Sequence, residues 1–278
     1  MFIMLLIPLI PIFALITQNT ILVNNIIIRK NELLEADISI LKGDETARLV
    51  AALQQERSAS LVKIFLSEAA SKEVNLDFDA QRAQTDAALE NMTEWRAPAG
   101  EAIFKSKLRF QIRVDDFRRL TDKRNSTTKN QNQKLAFETL EFYTYATRVL
   151  LDDLSSIIRT SNGSKTWRYL VTYKNMLRAL ESLGIEISYG IIFIGNGELN
   201  IENFAKYIEK HKICNEYLKQ SGAFLVNMRD KIENIQKSPQ WVQYGERYRT
   251  MVNAKKISQE NFTKEIATYF KNSYEIRQ

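Results

Sequence analysis

Helix breakers are scarce in this chain: its 278 residues hold nine glycines and four prolines, and two of the prolines, Pro8 and Pro11, fall within the apolar N-terminal segment. A proline inside a helix removes a hydrogen bond and clashes with the preceding turn, and an interior glycine costs about 1 kcal/mol relative to alanine. Long stretches without either favour long helices over a β-rich fold, and the remaining punctuation marks their ends. A first helix is expected from about Asn31 to Ser71 and a second from about Asp79 to Arg96; Pro98 and Gly100 mark the turn into a third that ends near Lys123. The polar run Arg124 to Gln133 reads as a loop. A fourth helix, about Lys134 to Arg159, stops before Ser161-Asn162-Gly163-Ser164, where Gly163 suits a left-handed cap and Ser164 an N-cap. The fifth reaches about Ile194 and is broken by Gly195-Asn196-Gly197. The sixth covers Ile201 to Gln236, before Ser238-Pro239, an N-cap followed by proline at the first helical position. Shorter helices over Gln240–Asn253 and Ser258–Tyr274 complete the count.

About eight helices of this length predict an all-α fold of two packed four-helix bundles, with long helices shared between them. The apolar stripes of the fifth helix (Leu170, Tyr173, Leu177, Leu180, Ile187, Ile191) and the sixth (Phe204, Tyr207, Ile208, Leu218, Phe224, Leu225) read as core. Residues Met1 to Ile16 are almost wholly apolar, and the pattern resumes at Ile21-Leu22-Val23 and Ile26-Ile27-Ile28 before Arg29-Lys30. With no positive start and no small-residue cleavage site, residues 1–30 read as a transmembrane anchor rather than a signal peptide, leaving 31–278 as the folded domain.

Several function classes find little support. The net charge is +6, but 39 basic residues are interleaved with 33 acidic ones. The densest basic run, Lys105, Lys107, Arg109, Arg113, Arg118, Arg119, Lys123 and Arg124, reads as a solvated helix face, and no nucleic-acid motif accompanies it. No catalytic constellation is present. The one histidine, His211, has no metal-ligand spacing around it; Gly195-Asn196-Gly197 is a turn; and Asp115-Asp116 and Asp152-Asp153 diverge by about 100° on a helix. Neither a metal nor a cofactor is expected. Cys214 is the only cysteine, which leaves no internal disulfide. Four Asn-X-Ser/Thr sequons, at Asn91, Asn125, Asn162 and Asn261, lean towards a luminal or extracellular setting.

The chemically informative stretch is Leu53-Gln54-Gln55-Glu56-Arg57-Ser58-Ala59-Ser60. At helical spacing Leu49, Leu53, Ser60 and Ile64 share a face, with Val50 and Leu61 at its edge, and Arg57 projects from the middle of that arc. A buried cation demands a partner, so Arg57 meets either a bound anion or a carboxylate such as Glu56, Glu181 or Glu186.

These residues resemble the first signature of the nitrate- and nitrite-sensing (NIT) domain, an all-helical extracytoplasmic sensor of bacterial receptors and of some invertebrate membrane guanylate cyclases. Further matches follow in order over roughly residues 40 to 255: Gln81 to Leu89, then Phe142-Tyr143-Thr144, then Tyr173 to Gly184 with Glu181 and Gly184, and Gly195-Asn196-Gly197-Glu198-Leu199. The resemblance implies a ligand-sensing ectodomain rather than an enzyme, binding a small inorganic anion, anchored in the plasma membrane with residues 31–278 outside, and working as a homodimer. Arg57 is then one half of the ligand site, with Gln54, Ser60 and Tyr189 as secondary donors. The bacterial pattern places a second arginine in Gly-x-Glu-Arg-Ala, whereas this chain reads Gly184-Ile185-Glu186-Ile187-Ser188, with Ile187 in its place. Loss of one charge-assisted contact weakens a desolvated anion site by about 1.5–3 kcal/mol, or roughly tenfold to a hundredfold. Gly184-Ile185 and Tyr189-Gly190 are closer to the animal branch, which implies a guanylate cyclase output; the basic pair Arg29-Lys30 after the anchor then implies that the chain is part of a longer receptor. The competing expectation is a helical scaffold or protein-interaction module that has lost anion binding.

Overall fold

A computed structural model describes residues 9–66, 77–95, 105–123, 128–160, 167–254 and 262–277. The elements are α1 (Leu9–Phe65), α2 (Phe78–Glu90), α3 (Lys107–Lys123), α4 (Lys129–Thr160), α5 (Trp167–Asn196), α6 (Ile201–Phe224), α7 (Val226–Gln236), α8 (Pro239–Ala254) and α9 (Phe262–Arg277), with no strand among the described residues. Ser238 and Gly197 act as the expected punctuation, and Asn200, not among the expected marks, adds a further cap. Asn200 N-caps α6 by accepting a hydrogen bond from the Asn203 amide at 2.8 Å. Ser238 accepts from the Trp241 amide at 3.3 Å ahead of Pro239. Gly197 stops α5 with φ of 80°, a conformation that favours glycine, and its amide donates to the Phe193 carbonyl at 2.8 Å. The expected cap at Gly163-Ser164 lies outside the described residues.

Four boundaries differ from expectation, the first being α2, which ends at Glu90 with Asn91 as its C-cap instead of reaching Arg96. Helix α1 is 57 residues long and starts at Leu9 rather than near Asn31. Helix α4 starts at Lys129, inside the run expected as a loop. The expected sixth helix is two, since Leu225 adopts an extended conformation (φ −135°, ψ 117°) between α6 and α7. The break turns Ile232 of α7 back into the core, and Gly222 of α6 lies against the Arg229 backbone.

Two hydrophobic cores result. One gathers Leu49, Val50 and Leu53 of α1, Leu89 of α2, Phe110 and Val114 of α3, Tyr143 to Leu154 of α4, and Leu170 and Leu177 of α5. The other gathers Ala59 to Leu66 of α1, Ala136 and Leu140 of α4, Ala179 to Ile194 of α5, and residues of α6, α7, α8 and α9. Helices α1, α4 and α5 run through both. From Glu181 to Ile194 every residue of α5 is buried, so this helix is enclosed on all sides rather than amphipathic. Tight contacts hold it there: a Cβ on Gly195 would lie 2.5 Å from the Phe65 ring of α1.

The N-terminal half of α1 is different. Leu15, Ile16, Ile21, Leu22, Val23, Ile26, Ile27 and Ile28 are 47–59% exposed, and Leu33, Leu34, Ile38, Ile40 and Leu41 follow suit. Among the described residues no helix is long and apolar enough to cross a membrane, and the first eight residues of the expected anchor lie outside them.

Gly195→Ala should lower stability by about 1–3 kcal/mol, because the Phe65 ring or the helix backbone must shift to admit the methyl group. A melting-temperature decrease of several degrees in a thermal denaturation of the variant checks this.

Candidate functional site: a buried arginine at the junction of two cores

Along α1, the residues between Leu53 of one core and Ala59 of the other are polar, and Gln54, Glu56, Arg57 and Ser58 are all buried. Buried polar side chains require partners, and α4 and α5 supply them at the same level. Arg57 is 0% exposed. Its Nη1 donates to Glu181 Oε1 of α5 at 2.9 Å and to Thr144 Oγ1 of α4 at 3.1 Å. The Glu181 carboxylate is heavily solvated by protein: the Thr147 hydroxyl donates to Oε1 at 2.7 Å and Gln54 Nε2 donates to Oε2 at 2.6 Å. Of the three carboxylates that sequence reasoning offered Arg57, Glu181 is therefore the partner.

The rest of the guanidinium is bare. Nε and Nη2 are buried and make no hydrogen bond. These two donors form one edge of the planar fork, with a spacing that matches two oxygens of a carboxylate or a planar oxyanion. Gly184 closes over that edge, and a Cβ there would sit 2.6 Å from Nη2. The glycine of the fourth signature is thus explained by proximity to the guanidinium.

The other two carboxylates have basic partners of their own. Glu56 is held by Arg118 of α3, with Nε to Oε1 at 2.6 Å and Nη2 to Oε2 at 2.8 Å, and it accepts from the Tyr143 hydroxyl at 2.8 Å. This corrects the expectation of a uniformly solvated basic face: Lys105, Arg109, Arg113 and Arg119 are exposed, whereas Arg118 is 6% exposed and also meets Asp86 at 2.8 Å and Asp115 at 3.0 Å. Burial alone would lower the Arg118 pKa, but hydrogen bonds and charge from Glu56, with Asp86 behind them, outweigh it and hold the guanidinium above its ordinary value. Burial, then the charge of Glu56, pushes the Tyr143 phenol well up, so it stays a donor. Glu186 pairs with His211, with Nδ1 to Oε1 at 3.0 Å.

Of the residues expected to bind ligand, Arg57 and Gln54 come together around Glu181. Ser60 is half-buried near the Tyr143 hydroxyl rather than at the guanidinium. Tyr189 packs against Phe137 with ring centroids 6.4 Å apart, in the second core. Ile187, where the second arginine was looked for, is 0% exposed and part of that same core. Sequence reasoning missed Thr144 and Thr147. Their signal was legible in principle, since Tyr143-Thr144 and Thr147 interrupt the apolar face of α4 one turn apart, level with Arg57. Among the described residues no cluster of His, Cys, Asp and Glu could hold a metal ion.

A family model for nitrate and nitrite sensing matches residues 48–276. The chain belongs to that family. No curated protein and no solved structure matches it. The NIT match begins close to where the side chains of α1 become buried, and it takes in Arg57, Gln54, Thr144, Thr147, Glu181 and Gly184. The NIT domain is a sensing rather than a catalytic module.

Glu181→Ala should destabilise the domain by about 3–5 kcal/mol by leaving Arg57 buried without a counter-charge. The double variant Arg57→Met, Glu181→Met should recover most of that loss, because both the cation and its requirement for a partner are gone. Guanidinium denaturation of the three proteins, with unchanged dependence on denaturant, checks both.

Proposed function

We propose that this chain is the ligand-sensing part of a membrane receptor and that its ligand is a small planar oxyanion of the nitrate or nitrite type, taken at Arg57. The supporting observation is the unpartnered Nε–Nη2 edge of a fully buried guanidinium. In a dry interior each such donor carries a desolvation cost of about 1–3 kcal/mol that a bound oxyanion relieves. Gly184 covers this edge, so an anion reaches it when α5 moves relative to α1, and the pair Arg57–Glu181 stretches or breaks as it does so. Binding and helix displacement are then the same event. Helix α1 runs without a break from this point back to Leu9, so the displacement passes directly into the exposed apolar segment.

On this reading residues 1–30 anchor the chain, 31–278 lie outside the plasma membrane as two four-helix bundles sharing α1, α4 and α5, and two copies work together to drive a cytoplasmic output of the guanylate cyclase kind. The exposed apolar surface of α1 supports the anchor. A second reading has its own observation. The Arg57–Glu181 pair is closed, the carboxylate accepts hydrogen bonds on both oxygens, and Ile187 offers no second charge, as a helical scaffold that has lost its ligand requires.

Calorimetric titration of the full chain in detergent with nitrate and with nitrite separates the two. The sensor reading expects saturable binding that Arg57→Ala abolishes and that Gly184→Ala also weakens at least tenfold, since the added methyl blocks the open edge while leaving Glu181 in place. Absence of heat up to millimolar anion from a folded protein establishes the scaffold.

A further inference from the structure

Glu186 is the second charged group in the enclosed part of α5, and nothing in the anion site uses it. It is 0% exposed, points away from Arg57, and lies among Tyr207, His211 and Cys214 of α6, Tyr244 and Tyr248 of α8, and Tyr269 of α9. Its Oε1 meets His211 Nδ1 at 3.0 Å, while Oε2 is buried without a hydrogen bond. The hydroxyls of Tyr244 and Tyr269 are also buried and unpartnered, although Tyr244 is near enough to favour the Glu186 carboxylate. Gly190, one turn along α5, leaves the space that the Tyr269 hydroxyl fills, for a Cβ there would lie 2.2 Å from it. His211 is the basic group that meets Glu186 on this face. Arg247 acts on Tyr269 rather than on Glu186, and Arg57, across α5, is already matched by Glu181. The imidazole is 25% exposed and lies flat on Tyr248 with ring centroids 3.7 Å apart, so solvent reaches one end of a pair whose other end is sealed.

We propose that Glu186 and His211 together hold one proton that clasps α5 to α6, and that its release as pH rises loosens α5, making the domain responsive to pH. With the proton on the imidazole, the two form an ion pair; with it on the carboxyl, two neutral groups share a hydrogen bond. Both arrangements avoid a bare buried charge. Removing the proton leaves Glu186 anionic in an apolar core with no cation facing it, the condition that buried carboxylates resist.

The direction with pH follows from burial, which raises the Glu186 pKa against the smaller opposing influences of His211 and Tyr244. A raised value means that the folded chain keeps its proton to higher pH than the unfolded chain does. Stability is therefore greatest on the acid side of the folded titration and declines as pH rises through it. The proposal stands whether or not Arg57 takes an anion.

The test is the melting temperature of the full chain between pH 6 and 9, for wild type and Glu186→Gln, beside selective ¹⁵N-histidine NMR. Since His211 is the only histidine, the ring gives one unambiguous signal. Expected are a fall of roughly 5 °C or more in wild type with rising pH, a ring titration over the same interval, and a profile at least twofold flatter in Glu186→Gln. Equal pH dependence in the two proteins, or a ring that titrates with no accompanying change in melting temperature, overturns the proposal. If Glu186→Gln fails to fold, His211→Asn replaces it under the same criteria, and the wild-type coincidence of ring titration and melting still decides.

Discussion

A guanidinium that water cannot reach has to be answered by the protein, and that requirement fixes how α1, α4 and α5 lie together. Arg57 projects from α1, Thr144 and Thr147 from α4, and Glu181 from α5, and the hydrogen bonds among them form only in one register. Sliding any of the three by one residue would rotate its polar group by about 100° into an apolar core. The apolar residues above and below are more tolerant, since hydrophobic packing is non-directional. The polar layer thus supplies the specificity and the two cores supply most of the stability. A buried ion pair contributes little net stability compared with apolar residues of the same shape, which is consistent with such a division.

The same helix carries a second polar group on another face. Glu181 answers the first core junction and Glu186, less than two turns later, answers α6, so the enclosed stretch of α5 is polar at two points and apolar elsewhere. Together with Glu56 and Arg118, three buried carboxylates are each assigned a separate basic partner from a different helix, α1, α3 or α6. Each assignment excludes the others, so the charges act as addresses that the nonspecific cores cannot provide.

Much of this was legible in the sequence. Scarcity of glycine and proline foretold long helices, and local chemistry at Ser238 and Gly197 set ends that a propensity argument reaches without tertiary information. The position of Arg57 in an apolar arc foretold its burial. What the sequence withheld was long-range. Nothing local distinguishes Arg118 from the exposed arginines around it, because its burial depends on where Glu56 and Asp86 arrive from other helices. Which of three glutamates meets Arg57 is likewise a matter of packing, and the extended Leu225 between α6 and α7 carries no side-chain cap to announce it. Tyr189 is near Gly184 along the chain, but five residues are more than a helical turn, and it packs beside Phe137 in the second core.

The unbroken course of α1 has a geometric consequence. At about 1.5 Å per residue, the stretch of α1 from Gly43, where it first becomes buried, back to Leu9 spans roughly 50 Å. Such a rod is a lever with its short arm set in the cores and its long arm free. A tilt of about 5° where the helix leaves the packed core sweeps the far end through about 4–5 Å, so a small repacking there becomes a displacement of atomic-diameter size at the other end of the helix.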